Sequence, residues 1–383
     1  MVAGPFVAST LADFGADVIK IEHPRLGDPM RHWAPFKDGI PLTWKVTGRN
    51  KRLITLDLSQ PRGQELALRL ASTADIVVEN FRPGTMERWG LDYGTLSQNN
   101  KGLILARVSG YGQDGPLGAR PGYGTVAEAM SGIPSFTGAQ DGPPTLSAFP
   151  FADTIAGVFG ALGVLMALQE RNVSDDHRGQ VVDVALYEPL FRLVESQVIG
   201  FDQLGIVKQR LGNGIEEDVP RNAYRTSDDH WIAISASSDR TFERLARAVG
   251  QPSLAKDVRF TSNRSRIENR EAIDQILSAW FAQRSRDDAM SELDRNDVVA
   301  GPILNIAEIV EHAQFKARQN IVDVPDRHFG KVRMPGVVPR LSRTPGAVRH
   351  SGGELGDDNV QVYLHELGLD EAEFADLRAE GVI

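Results

Sequence analysis

Asp153 stands at the head of an uncharged run, Thr154 to Leu168 (TIAGVFGALGVLMAL), where a lone carboxylate has two uses. In the first turn of a helix, unpaired N–H groups carry partial positive charge and favour the ionised acid, so the position suits a reactive anion. It also suits an ordinary cap, since aspartate is among the preferred N-cap residues. Both readings stand on this feature alone. A second constellation is cationic: Arg25, Arg31, Lys37, Lys45, Arg49, Lys51 and Arg52 crowd the stretch from His23 to Arg52, with Arg82 and Arg88 further on. Arg49, Lys51 and Arg52 are phosphate-contact candidates, suited by type to a small polyanion, against the plain reading of scattered surface charge. The 8 histidines follow no metal-site spacing, and the chain has no cysteine, so no metal, disulfide or thiol nucleophile is expected.

The elements that must position these residues follow from pattern. Gly157, Gly160 and Gly163 fall three apart, along one side of a helix, where another backbone or a ligand can approach closely. Upstream, Ala16 to Glu22, Arg52 to Leu58, Ala74 to Phe81 and Leu103 to Ser109 read as strands, and Gln180 to Tyr187 adds one more. Helical segments alternate with them, Phe6 to Phe14 closed by Gly15 and Gln60 to Ser72 with Pro61 near its start. This alternation predicts right-handed crossovers and a mostly parallel sheet, an α/β architecture of the doubly wound, Rossmann-like kind. A helical stretch from Glu188 to about Leu204 leads into RLGNGIEEDVPRN, which reads as a boundary loop. From about Ala223 the strand HWIAISA, then TFERLARAVG and charged helices to about Asn296, read as a smaller α/β domain. The tail returns to loops and ends in helical pieces from Val360. The expected division is a large domain over residues 1–190 completed by about 325–383, a linker at 191–222, a small domain at 223–300 and a return linker at 301–324.

At 383 residues the chain exceeds what one core usually supports, which agrees with two domains. A formal charge of −9 argues against a nucleic-acid partner. The opening MVAGPFVASTLADFGADV lacks the basic start and apolar core of a signal peptide. Ala148 to Leu168 approaches membrane-spanning length, but Pro150, Asp153 and the glycines favour a buried helix over a span. The expectation is a cytoplasmic protein with no membrane and no nucleic-acid partner.

Several segments together resemble the class III coenzyme A transferases, the family of formyl-CoA and carnitine CoA-transferases and of the related α-methylacyl-CoA racemases. They are AGPFVASTLADFGADVIKIE, GRNKRLITLDL, ADIVVENFRPGTMERWGL, SGYGQDGP, PGYGTVAEAMSGIPSFTG, FADTIAGVFGALGVLMALQER and RGQVVDVALYE, in family order, with the weaker GPILNIAEI and LGLDEAEFADL later. The resemblance implies a two-domain chain in an interlaced homodimer, with Asp153 as the nucleophile. In that chemistry the aspartate attacks an acyl-CoA thioester to give a mixed anhydride and CoA thiolate. The thiolate returns to form an aspartyl-CoA thioester, and the acceptor carboxylic acid takes the CoA. A carboxylate of pKa about 4 is ionised at neutral pH and needs no general base, but the anhydride must be kept from water. Oxyanion stabilisation falls to backbone N–H groups, for which the Gly212 to Gly214 loop is a candidate against the reading of a plain linker.

For acyl-CoA the resemblance maps binding positions onto Val2, Ala3, His23, Leu56, Asn80, Phe81, Thr85, Arg88, Ser109 and Tyr111, with Tyr123 at the substrate. Each has a plainer rival: Leu56 and Phe81 as core residues, Arg88 as a helix-end cation, Asn80 as a turn former. CoA is a substrate here, and no tightly bound cofactor is expected. Departures from the family narrow the reaction. Racemases carry a histidine where this chain has Tyr123, and a tyrosine of pKa about 10 is a poor base for proton exchange, so transfer is favoured, with succinyl-CoA as the expected donor. The formyl-CoA enzymes carry glutamine at Val2 and an extended glycine-rich loop missing here, which speaks against an oxalate-type reaction. Leu355 replaces a common histidine, and the chain begins where relatives have completed a first strand; a catalytically inactive CoA-binding protein is the remaining alternative.

Overall fold

The computed structural model describes all 383 residues. They form two compact units, one of Met1–Ile133, Ser147–Glu195 and Ala313–Ile383, the other of Pro134–Leu146 and Ser196–His312.

The first unit holds α1 (Ala3–Asp13), β1 (Ile19–Glu22), β2 (Arg52–Thr55), α2 (Pro61–Ala71), β3 (Ile76–Glu79), β4 (Ile104–Ser109), α3 (Gly124–Met130), α4 (Phe151–Val173) and β5 (Val181–Ala185). β1 and β2 pair in parallel with Ile19 opposite Arg52, and β3, β4 and β5 form a second parallel sheet with β4 in the middle. The strands expected from the sequence are therefore present, trimmed at their ends and divided between two small sheets. β4 is buried along its whole length, as a central parallel strand must be. Its alternate side chains feed two cores: Leu105 packs with Leu66, Tyr363 and Phe374, while Ala106 and Val108 pack with Val7, Ala156 and Val164.

Helix α4 is long and apolar enough to cross a membrane by length and composition, but one side of it is committed to protein. A Cβ on Gly157 would lie 2.9 Å from Phe6 Cβ, one on Gly160 2.8 Å from Val7 Cγ2, and one on Gly163 2.8 Å from Val182 Cγ1. The glycine stripe thus seats α1 and the β5 strand. Burial is one-sided, correcting the expectation of a buried helix: Val158, Leu162, Leu165 and Met166 are exposed on the opposite face. We expect Gly157→Ala to lower the melting temperature, because overpacking of about 1–3 kcal/mol outweighs the roughly 1 kcal/mol of helix propensity regained. An unchanged or raised melting temperature would show that α1 is not held this way.

In the second unit, β6 (Arg221–Arg225), β7 (Trp231–Ser235) and β8 (Ala300–Pro302) form an antiparallel sheet in the order β8–β7–β6. It packs with α5 (Asp239–Ala248), α6 (Arg270–Phe281) and α7 (Arg286–Arg295) around Tyr224, Ile232, Phe242, Leu277 and Phe281. The helix expected over Glu188 to Leu204 is two helices, Glu188–Leu193 and Ser196–Leu204.

The tail belongs to the first unit and runs as loop from Gly336 to Glu354, as expected, but a hairpin the sequence did not announce precedes that loop. The hairpin is β9 (Ile321–Asp326) with β10 (Gly330–Pro335), and the tail closes with α8 (Glu371–Ala379). Its residues seal the free edge of β2: Asp358 accepts from Leu53 N at 2.6 Å, Asn359 from Thr55 N at 2.8 Å, and Tyr363 donates to Thr55 O at 2.7 Å. An edge strand with open N–H groups would otherwise be a template for mispairing.

Candidate active site

A cavity of about 610 Å³ opens in the first unit where the parallel strands end. His23 follows β1, Leu56 and Asp57 follow β2, Asn80 and Phe81 follow β3, Gly110 follows β4 and Leu186 follows β5, and all line it. The crevice beyond the carboxyl ends of parallel strands is where α/β proteins hold ligands, because the chain must leave the sheet there to begin each crossover. Ala3 from α1, Tyr123 from the approach to α3 and Asp153 from α4 complete the wall.

Asp153 is the third residue of α4, whose N-cap, Pro150, supplies no side-chain cap. Its own N–H and the N–H of Ala3 lie near the carboxylate and favour its charged form. It also lies against the backbone of Gly124, where a Cβ would stand 2.0 Å from Asp153 Oδ2. The group is thus on the cavity wall while still in the favourable first turn. Burial pushes its pKa above the ordinary aspartate value, and the opposing pull of the chain's amino group and of these N–H contacts does not cancel the rise. A carboxylate stripped of water in this way is a stronger base and nucleophile than one in solution.

Buried ion pairs hold the strand-end turns in place. Glu22 accepts Arg31 Nε at 2.7 Å and Nη2 at 2.8 Å, with Asp28 N at 2.9 Å, and Arg31 stacks on Trp44 at 3.9 Å. That fixes the loop after β1. His23 Nδ1 accepts from Arg25 N at 3.1 Å and Leu26 N at 3.3 Å, which leaves the proton on Nε2, 3.9 Å from Asp57 Oδ2. After β3, Glu79 takes Arg107 Nε on one oxygen at 2.7 Å and Phe81 N on the other at 2.7 Å, so the turn carrying Asn80 and Phe81 is tied to β4.

Of the positions singled out from the sequence, Ala3, His23, Leu56, Asn80, Phe81, Tyr123 and Asp153 line this cavity. Val2, Thr85, Arg88, Ser109 and Tyr111 do not. Val2 packs with Met30, Trp44 and Leu53. Thr85 is buried and accepts from Arg88 Nη2 at 3.0 Å, and Ser109 Oγ accepts from Gly112 N at 3.0 Å. Tyr111 lies behind Gly122, a lining residue. The cationic trio is also outside the cavity. Arg49 is bound to Asp13 at 2.6 Å, and Arg52 to Asp17 at 2.6 Å and Glu366 at 2.5 Å. Lys51 is buried against Ser9 and Thr47 O, and burial, helped by Lys20 and Arg49, pushes its ammonium down to about 7. The Gly212 to Gly214 loop lies in the second unit, where Gly212 N donates to Gly138 O at 2.9 Å. Residues the sequence did not single out include Gly124, Asp57, Trp89 and Arg120; Gly124 stands inside the PGYGTV segment, but a glycine carries no chemical signal of its own.

A ligand cavity at the carboxyl ends of parallel strands, with the partly desolvated Asp153 carboxylate in its wall, defines an α/β protein with a small-molecule site. The chain belongs to CoA-transferase family III, whose profile matches residues 1–359, and is an enzyme of that class. It is similar to a succinyl-CoA–D-citramalate CoA-transferase of Chloroflexus aurantiacus, 44% identical over 383 residues, covering 100% of this chain and 95% of the relative. A succinyl-CoA–L-malate CoA-transferase alpha subunit of Chloroflexus aurantiacus is 39% identical over 385 residues, covering 100% of this chain and 90% of that one. Among solved structures, a CAIB/BAIF family protein from Brucella suis superposes with a TM-score of 0.84 at 32% identity, over 97% of this chain and 96% of that one.

Proposed function

We propose that the protein moves CoA from succinyl-CoA to a second carboxylic acid, with Asp153 as the covalent carrier. The observation that carries this reading is the Asp153 carboxylate, partly desolvated, seated on Gly124 and Ala3 N–H at the wall of the cavity. The names of the two relatives, both succinyl-CoA-dependent, support the donor. Asp153 Oδ attacks the thioester carbonyl, the C–S bond breaks, and a succinyl–aspartyl anhydride and CoA thiolate result. The thiolate then attacks the aspartyl carbonyl and releases succinate. The acceptor carboxylate repeats these two steps in reverse, leaving its own CoA thioester and a free Asp153. Ala3 N–H orients the carboxylate for each attack, and the apolar first turns of α1 and α4 limit the water that would hydrolyse the anhydride. Tyr123 is exposed at the cavity where a racemase would need a second base, which favours transfer over racemisation.

The homodimer belongs to the same proposal. The outer face of α4 and the helix Ser196–Leu204, which has no buried residue, are apolar surfaces of the kind a second copy covers.

Incubation with succinyl-CoA and citramalate or malate tests the reading: succinate and the acceptor's CoA thioester should appear in equal amounts. Release of free CoA alone, or no product across a panel of acids, would reject it. The rate should also fall in acid through a pH above the roughly 3.9 of an ordinary aspartate, because the ionised form attacks and burial raises its pKa. An acid limb at or below that value would place the titrating group elsewhere.

A further inference from the structure

Among the side-chain cations of the cavity wall, Lys20 is bound to Asp28 at 2.6 Å and His23 faces Asp57, but the guanidinium groups of Arg82 and Arg120 have no ion pair or hydrogen bond. A solvent-exposed guanidinium with no protein partner has five donors to offer, which the planar carboxylate of a ligand matches. The two arginines differ in how they connect to Asp153. From Arg120 the chain runs through Pro121, Gly122 and Tyr123, all cavity-lining, directly to Gly124, whose backbone touches the Asp153 carboxylate. Four residues cap the Cα separation of Arg120 and Gly124 at about 14 Å.

That short path is also stiff. Pro121 fixes one backbone angle, and Gly122 is pressed against the end of β4, where a Cβ would lie 2.8 Å from Gly110 Cα and 3.1 Å from Tyr111 Cε2. Arg82 stands on the turn after β3, two residues beyond Asn80, which packs on Gly4 of α1, and shares no segment with a residue that touches Asp153. The cavity therefore presents a reacting carboxylate and, a few residues away on one braced segment, a free cation.

We infer that Arg120 binds the remote carboxylate of a dicarboxylic acyl group, so that the site selects short diacids as both donor and acceptor. This rests on the transferase reading above. An acid reacting at one end and charged at the other fits the Asp153–Arg120 pair, and because donor and acceptor occupy the acyl position in turn, one cation selects both. A monocarboxylic acyl chain offers Arg120 no acceptor, so it forgoes the charge-assisted hydrogen bonds a second carboxylate would make.

Succinyl-CoA and butyryl-CoA differ in this respect by the terminal carboxylate. Their dissociation constants are to be measured by calorimetry on Asp153→Asn protein, which cannot turn either over, with and without Arg120→Gln. The parent should prefer succinyl-CoA by about ten- to a hundredfold. Arg120→Gln should erase the preference while butyryl-CoA binds as before, Arg120→Lys should restore part of it, and Arg82→Gln should leave the ratio intact. A preference that survives Arg120→Gln, a parallel loss for both ligands, or no preference in the parent would overturn the assignment. Failure of the transferase reading would be seen separately, as wild-type protein that binds these thioesters but transfers nothing.

Discussion

Asp153→Asn is expected to lower CoA transfer by at least about a thousandfold while leaving the fold at least as stable as wild type at neutral pH. The amide is nearly isosteric and keeps the contact with Ala3, but it cannot form an anhydride. The stability half follows from the sign of the pKa shift. Burial raises the Asp153 pKa in the folded protein, so the group's favourable contribution is present below its unfolded pKa and is lost as pH rises through the folded value. At pH 7 the wild type carries the cost of a partly desolvated charge, and asparagine removes it. Steady-state transfer and thermal denaturation at pH 7 check the two halves together. Residual transfer near the wild-type rate would remove Asp153 from the chemistry, and a marked fall in melting temperature would make it a structural residue.

Gly124→Ala should be the second most damaging change, although it touches no reacting bond. A Cβ there would overlap Asp153 Oδ2 at 2.0 Å, and Gly124 does not have the left-handed φ that would strain an alanine, so the overlap alone is at issue. The carboxylate must swing away from the N–H of Ala3. A displacement of about 1 Å at a reacting group costs on the order of a hundredfold in rate. Stability should hold, because alanine opens α3 better than glycine does. The result to look for is a collapse of kcat with little change in CoA affinity, and wild-type kcat would show that the carboxylate is not held in position by Gly124.

The positions of the parallel strands were legible because apolar, β-branched runs such as ILARVS and IVVE are bounded by turn formers, and their ends then place His23, Leu56, Asn80 and Phe81 on a common rim. The glycine stripe of α4 was legible as a demand for close approach, though not the identity of what approaches. The basic island was not legible, because its partners are distant in sequence: Arg52 meets Glu366, and Lys45 meets Asp326 at 2.9 Å. Long-range charge pairing leaves no local pattern, so paired and free cations look alike in the chain. The hairpin of β9 and β10 was hidden by Pro325 and Pro335, which dilute the strand signal at positions where the ladder tolerates them. The division of the parallel strands into two sheets depends on pairing, which no single run encodes.

Peptide mapping by mass spectrometry after incubation with succinyl-CoA and a hydroxylamine quench reads the acylation of Asp153 itself. A hydroxamate is expected on the peptide containing Asp153, formed only when the thioester is present and absent from Asp153→Asn protein. Turnover without modification of that residue, or modification at another side chain, would contradict it.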